Sequence, residues 1–142
     1  MSKVSEIMQI KLLGKIKEVE RELYAHYNEE AVIYCCKIYY KDELQEVENE
    51  EGVRGYLING NFVSEDDMEY FPFDAYINYS LEVSIFKRKD NSVIGAHILV
   101  SKGGPTIYIN TIRGCIEGTW GDCYLECPIS QELVSAINDV VK

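Results

Sequence analysis

Apolar residues at Leu12, Ile16, Val19, Leu23 and Tyr27 recur every three or four positions, with Ile7, Met8 and Leu13 widening the stripe, which predicts an amphipathic helix from Ser5 to about Asn28. Lys15, Lys17, Glu18, Glu20, Arg21 and Glu22 fill the opposite face. Ser5 followed by Glu6 suits the start of that helix, with Ser2 as a competing cap. Gly14 weakens it by about 1 kcal/mol relative to alanine and is expected to mark a break or a close packing contact.

After Asn28 the pattern changes to β-branched and aromatic residues, and Ala31 to Tyr40 reads as one strand. Alternation along such a strand places successive side chains on opposite faces, so at most one of Cys35 and Cys36 is a core thiol if one face is wet. Val53–Ile58 and Phe62–Val63 flank Asn59-Gly60, the dipeptide that most favours a two-residue type I′ hairpin. Ser64 to Asp74 is rich in acids and holds Pro72, and is expected to be a loop or a short helical turn, with Ser64 at a helix N-terminus.

The second half reads as a meander. Leu81, Val83 and Ile85 alternate with Glu82 and Ser84, a turn at Lys89-Asp90-Asn91 leads into Val93–Val100, and Ala96, Ile98 and Val100 share a face. Thr106–Ile109, Cys115–Thr119 and Cys123–Glu126 are three further strands, and Gly104-Pro105 before the first of them suits the start of an edge strand. An exposed edge near Thr106 would allow a second copy to pair, so the chain is expected to be a monomer or a homodimer. Ser130 caps a last helix, Gln131–Val141, with Leu133, Val134, Ile137, Val140 and Val141 apolar. The expected fold class is α+β: a largely antiparallel meander with an N-terminal and a C-terminal helix packed on one face. It is expected as a single domain spanning 1–142, in which 42–74 stands out as an acid-rich, insertion-like stretch.

Charge sharpens this picture. The chain of 142 residues carries a net charge of −10, and the stretch Asp42–Asp74 holds eleven acidic residues against the single Arg54, which accounts for all of it. Within about 10 Å such charges act together, attracting a basic partner and repelling free nucleic acid. A solubilising surface is the plainer alternative. With 46% hydrophobic residues the chain is too apolar for disorder, and its apolar runs are too short to span a bilayer. No uninterrupted apolar segment follows Met1, so the expected location is the cytoplasm of a bacterial host cell.

Candidate chemistry is sparse. Cys115, Cys123, Cys127 and His97 form a legitimate zinc donor set, but only Cys123 and Cys127 approach the tight ligand spacing of structural sites. A nucleophilic cysteine would need a base, and His97 in a predicted strand is the candidate; a strand histidine satisfied by a neighbour is the simpler reading. Gly103-Gly104-Pro105 is followed by a strand rather than the helix a phosphate loop requires. The acids lack the ligand order and glycine of a calcium loop. No catalytic residue, metal or cofactor is therefore assigned. A sequence pI of about 4.6 disfavours direct nucleic-acid binding. Tyrosines near the acids, Tyr70 and Tyr76 among them, would add rigid amphipathic contact area.

The run Ser101-Lys-Gly-Gly-Pro-Thr-Ile-Tyr-Ile-Asn-Thr111, then Gly118-Thr-Trp-Gly-Asp122, Pro128-Ile-Ser130 and a closing helix resembles small phage- and plasmid-borne proteins, some of which resemble anti-CRISPR proteins. The resemblance implies a non-enzymatic inhibitor that occupies a basic nucleic-acid channel of a nuclease or CRISPR effector. The residues expected to bind are Glu46, Glu48, Glu50, Glu51, Glu65, Asp66, Asp67, Glu69, Tyr70, Asp74 and Tyr76. An immunity protein or antitoxin covering a basic toxin shares the same physics, and a small enzyme with a Cys/His site is the third class.

Overall fold

A computed structural model describes residues 3–70 and 72–141. The fold is α+β, and the chain divides into two compact units, one of Met1–Tyr24 with Asp74–Lys142 and one of Ala25–Phe73.

The first unit is built on a five-stranded antiparallel sheet in the order β10-β9-β8-β7-β6, with β6 Glu82–Lys87, β7 Val93–Ser101, β8 Thr106–Asn110, β9 Cys115–Trp120 and β10 Cys123–Pro128. Every neighbour in the sheet is also a neighbour in sequence, the meander that the turn spacing predicts. The strand at Thr106 is not an edge, however. It is the central strand, because β9 and β10 fold back beyond it, and the exposed edges are β6 and β10.

Alternation sorts the sheet into two faces. Registers Ile98↔Ile109, Ile109↔Ile116 and Ile116↔Cys127 line up one apolar row, and Ile98, Ile109 and Ile116 are fully buried. Helix α1, Lys3–Tyr27, lies over this face: a Cβ placed on Gly118 would come within 2.9 Å of the Cδ1 atoms of both Leu12 and Ile16. Helix α3, Gln131–Val140, covers the same face beside β7, buries Leu133, Val134 and Ile137, and brings Asn138 to 2.8 Å from the Thr111 hydroxyl that donates to it. Its cap is Ser130, whose hydroxyl accepts from the Leu133 amide at 3.2 Å. A short helix α2, Phe73–Asn78, which the acid-rich pattern concealed, is tied to α3 by Asn78, whose side-chain amide donates to the Val140 carbonyl at 2.7 Å.

The start of α1 differs from expectation. The helix is already formed at Lys3, so Ser5 lies within its first turn rather than before its start, while Ser2 lies outside the described residues. Gly14 neither breaks the helix nor packs closely, since a Cβ there would meet nothing within 4 Å.

The second unit overturns the single strand expected at Ala31–Tyr40. The segment is a hairpin of β1 Ala31–Tyr34 and β2 Lys37–Tyr40, paired Tyr34↔Lys37 and turning through Cys35 and Cys36 at φ of 50° and 63°. Both residues occupy the left-handed region, where a type I′ turn ordinarily recruits Asn-Gly, so the sequence carried no turn signal. Both thiols are exposed. A three-stranded sheet, β3 Gln45–Glu48, β4 Arg54–Ile58 and β5 Asn61–Ser64, completes the unit. Its Asn59-Gly60 turn has φ of 52° and 81°, the type I′ geometry predicted. The acidic strand β3 was not foreseen because Gln45-Glu46-Val47-Glu48 has one apolar residue in four. The core of this unit joins Val32 to Tyr56, Ile58, Val63 and Met68.

Gly55, the second residue of β4, has no room for a side chain: a Cβ would strike the Val63 carbonyl oxygen and approach the Phe62 ring at 2.8 Å. Gly55→Ala is expected to destabilise the protein by about 1–3 kcal/mol, because the obstacle is backbone that cannot rotate away. Chemical denaturation read by tyrosine fluorescence measures it; an unchanged midpoint would mean that β5 shifts freely.

Candidate functional site

The acidic residues reach the surface on short, well-defined elements. Glu46 and Glu48 project from β3, while Glu50 and Glu51 lie in the turn to β4, where the Asn49 side chain accepts from the amides of Glu51 and Val53, each at 2.9 Å. Glu65, Asp66 and Asp67 form a 3₁₀ turn capped by Ser64, which accepts from the Asp66 amide at 3.2 Å, as a helix start at Ser64 would require. Glu69 is held by reciprocal 2.8 Å backbone hydrogen bonds with Ile33, so its side chain projects from a fixed backbone. Tyr70 is half exposed, and the Lys41 ammonium lies 4.8 Å from its ring centroid. Asp74 and Tyr76 belong to α2 and hence to the other unit. The structure thus brings Glu46 to Tyr70 together in the unit 25–73, and that unit holds twelve acidic residues against Lys37, Lys41 and Arg54.

A second polar site stands on the five-stranded sheet, on the face opposite the helices, and its carboxylates were not foreseen. Register places His97 opposite Asn110 and Asn110 opposite Cys115, while Tyr108 faces Glu117 and Glu117 faces Glu126. His97 Nε2 lies 2.7 Å from Glu117 Oε1, and Tyr108 stacks on the imidazole with centroids 4.0 Å apart and planes at 9°. The Tyr124 hydroxyl donates to Glu117 Oε2 at 3.1 Å, and Asn110 Nδ2 to Oε1 at 3.5 Å. Asn110 is itself oriented, since its side-chain oxygen accepts from the Ile112 and Arg113 amides, both at 3.1 Å. Arg113 reaches Glu126 at 2.9 Å, and the Cys115 thiol donates to the other Glu126 oxygen at 3.2 Å.

Compared with family models, curated proteins and solved structures, the chain matches none. The site must therefore be read from its own chemistry.

Two carboxylates directly opposite each other on neighbouring strands repel, and donors on every side offset the cost. Burial pushes the Glu117 carboxyl up, but the hydrogen bonds from His97, Tyr124 and Asn110 outweigh it and hold the group below its ordinary value. Its ionised form accepts only, so His97 Nε2 carries the proton of that contact. Burial, together with the hydrogen bond to Glu126, pushes the Cys115 thiol up to about 12. That is the reverse of what a nucleophile needs: a Cys/His enzyme would require a thiolate, and here the thiol serves Glu126 while His97 serves Glu117.

The zinc set of Cys115, Cys123, Cys127 and His97 is divided by the sheet. Cys127 pairs with Ile116 on the helix-covered face, where it lies 3.1 Å from Glu20 and 3.3 Å from Lys17, whereas Cys115 is on the open face. Cys123 and Cys127 share a face, as their spacing of four implies, but it is the wrong one for His97. Glu117 and Glu126 were legible in principle. Reading Gly121-Asp122 as a two-residue turn pairs Trp120 with Cys123 and, three steps back, Glu117 with Glu126.

Proposed function

We propose that this chain is a non-enzymatic inhibitor from a mobile genetic element, acting in the bacterial cytoplasm, that presents the acidic unit 25–73 to a basic nucleic-acid-binding surface of a protein target. The observation that carries this reading is the concentration of nine of the ten net negative charges in one compact unit, on turns fixed by Ser64 and Asn49 side-chain caps. Carboxylates held at fixed spacing offer a lysine- and arginine-lined channel the charge it evolved to receive from phosphates, without the entropy cost of ordering a loop. Tyr70 adds an aromatic contact within the same surface. The C-terminal Gly-Gly-Pro and Trp-Gly resemblance supports the mobile-element setting and the anti-CRISPR class of target.

The test is capture from a bacterial lysate at low and high salt, followed by affinity measurement with the protein retained. A basic nuclease or CRISPR effector is expected at low salt, with capture weakening as salt rises. Glu65→Gln, Asp66→Asn, Asp67→Asn and Glu69→Gln combined are expected to weaken binding at least about tenfold, chiefly through slower association. Unchanged binding and inhibition in that variant would overturn the reading, and capture of a toxin instead would move the chain to the immunity proteins.

A further inference from the structure

We propose that His97, Cys115, Glu117 and Glu126 form a four-ligand site for a zinc-class divalent cation on the open face of the five-stranded sheet. The thiol sulfur of Cys115 and carboxylate oxygens of Glu117 and Glu126 lie within 4.8 Å of one another, and His97 Nε2 is 2.7 Å from Glu117. A tetrahedral ion with a metal–sulfur bond of about 2.3 Å and metal–oxygen or metal–nitrogen bonds of about 2.0 Å sets its donors about 3.3–3.6 Å apart, so Cys115, Glu117 and Glu126 draw together from within 4.8 Å, and His97, outside that cluster but bonded to Glu117, moves in as the fourth donor. Thiolate and imidazole among the donors select zinc or cobalt over magnesium or calcium, which take oxygen shells.

Three features of the surroundings fit a metal rather than an ordinary surface network. The two carboxylates stand directly cross-strand, a placement whose repulsion a cation between them would relieve more fully than the surrounding donors do. Outer partners are in place: Tyr124 and Asn110 donate to Glu117, and Tyr108 stacks on His97 and fixes its plane. The charges also close, since one thiolate and two carboxylates against a divalent ion leave one negative charge for Arg113, which already touches Glu126 through a half-exposed, rotatable side chain. On binding, the Cys115 proton leaves to solvent as the S–H···O hydrogen bond to Glu126 is replaced by sulfur–metal and oxygen–metal bonds, and His97 gives up its Nε2 proton through solvent and carries its ring proton on Nδ1 instead, so that a nitrogen–metal bond replaces the hydrogen bond to Glu117. Four protein ligands leave no open position, so the ion would be structural, joining β7, β9 and β10.

The test is titration of the full-length Cys35→Ser/Cys36→Ser chain with Co²⁺, a spectroscopic stand-in for Zn²⁺, so that the exposed hairpin thiols contribute nothing. The expected result is a single ion per chain, with intense visible bands of tetrahedral cobalt, a near-ultraviolet thiolate-to-cobalt band, and bleaching of both by Zn²⁺. Cys115→Ser is expected to abolish the thiolate band. Glu126→Gln, which alters a side chain at the surface and leaves the core intact, is expected to weaken binding at least about tenfold. Absence of tetrahedral bands, or spectra that survive both substitutions, would overturn the proposal. The charge-neutralised acidic variant of the unit 25–73 keeps all four ligands, so loss of partner binding there leaves this result unaffected.

Discussion

Alanine at Ile16 is expected to lower the free energy of unfolding by about 3–4 kcal/mol, while alanine at Ile10, on the same helix, changes it by less than about 0.5 kcal/mol. Ile16 is fully buried, whereas Ile10 is 72% exposed. The contrast follows from how α1 is seated. Gly118 leaves a gap in the middle of β9, and the Cδ1 atoms of Leu12 and Ile16 descend into it to the distance at which a Cβ would collide. Truncating Ile16 removes three carbons from that contact and leaves a cavity that the sheet cannot close, because Ile107, Ile109 and Ile116 on that face are themselves buried and packed. Urea unfolding of both variants, followed by far-ultraviolet circular dichroism, measures the difference. Equal costs at the two positions would show that α1 does not sit on β9 through this face.

The same residues show where sequence reading succeeds. Leu12, Ile16 and Leu23 obey a helical period because one face of α1 is dry, and Ile98, Ile107 and Ile109 sit on strands whose bounds are marked by Asn91, Gly103 and Gly114. Where pattern failed, a different force was in control. Cys35-Cys36 turns a hairpin with left-handed backbone that neither side chain favours, held by the flanking Tyr34↔Lys37 and Ile33↔Ile38 pairs and by the Lys41 amide donating to the Glu30 carbonyl at 2.8 Å across the hairpin base. Strand β3 is specified by its partner rather than by its own residues, since Glu46 and Glu48 lie opposite Tyr56 and Arg54 on β4.

The open-face site illustrates a third kind of difficulty. His97 was correctly expected to find a neighbour, but the neighbour came from β9, reached across β8 through the register Leu99↔Tyr108↔Glu117. Each polar residue there reads locally as the solvent half of an alternating strand. Only when three hairpin registers are combined do the imidazole, the thiol and the two carboxylates converge, which is long-range information that period and composition do not carry.

In the presence of a chelator, stability is expected to fall as pH rises from 9 toward 12, and much of that fall should vanish in Cys115→Ala. The thiol's ordinary value is 9.0, and in the folded protein burial and Glu126 raise it to about 12. Below pH 9 the thiol is protonated in both states and its contribution is fully present. Above 9 the unfolded chain loses the proton while the folded chain keeps it, so unfolding gains free energy until the folded group also ionises. At about 1.4 kcal/mol per pH unit, the stability difference between the native chain and Cys115→Ala should shrink by about 2 kcal/mol by pH 10.5 and by at most about 4 kcal/mol by pH 12. Tyr124, moved up to about 12 by burial and its bond to Glu117, acts in the same direction, but it is half exposed and solvent screens it. Because Tyr124 is present in both chains, the difference between them isolates the thiol. Thermal or urea unfolding at pH 7, 9 and 10.5 measures it, and a difference that stays constant would show that Cys115 is neither buried nor bonded to Glu126. Repeating the series with Zn²⁺ extends the argument: a thiolate already held by the ion has no proton left to lose, so the alkaline fall attributed to Cys115 should disappear from the native chain as well.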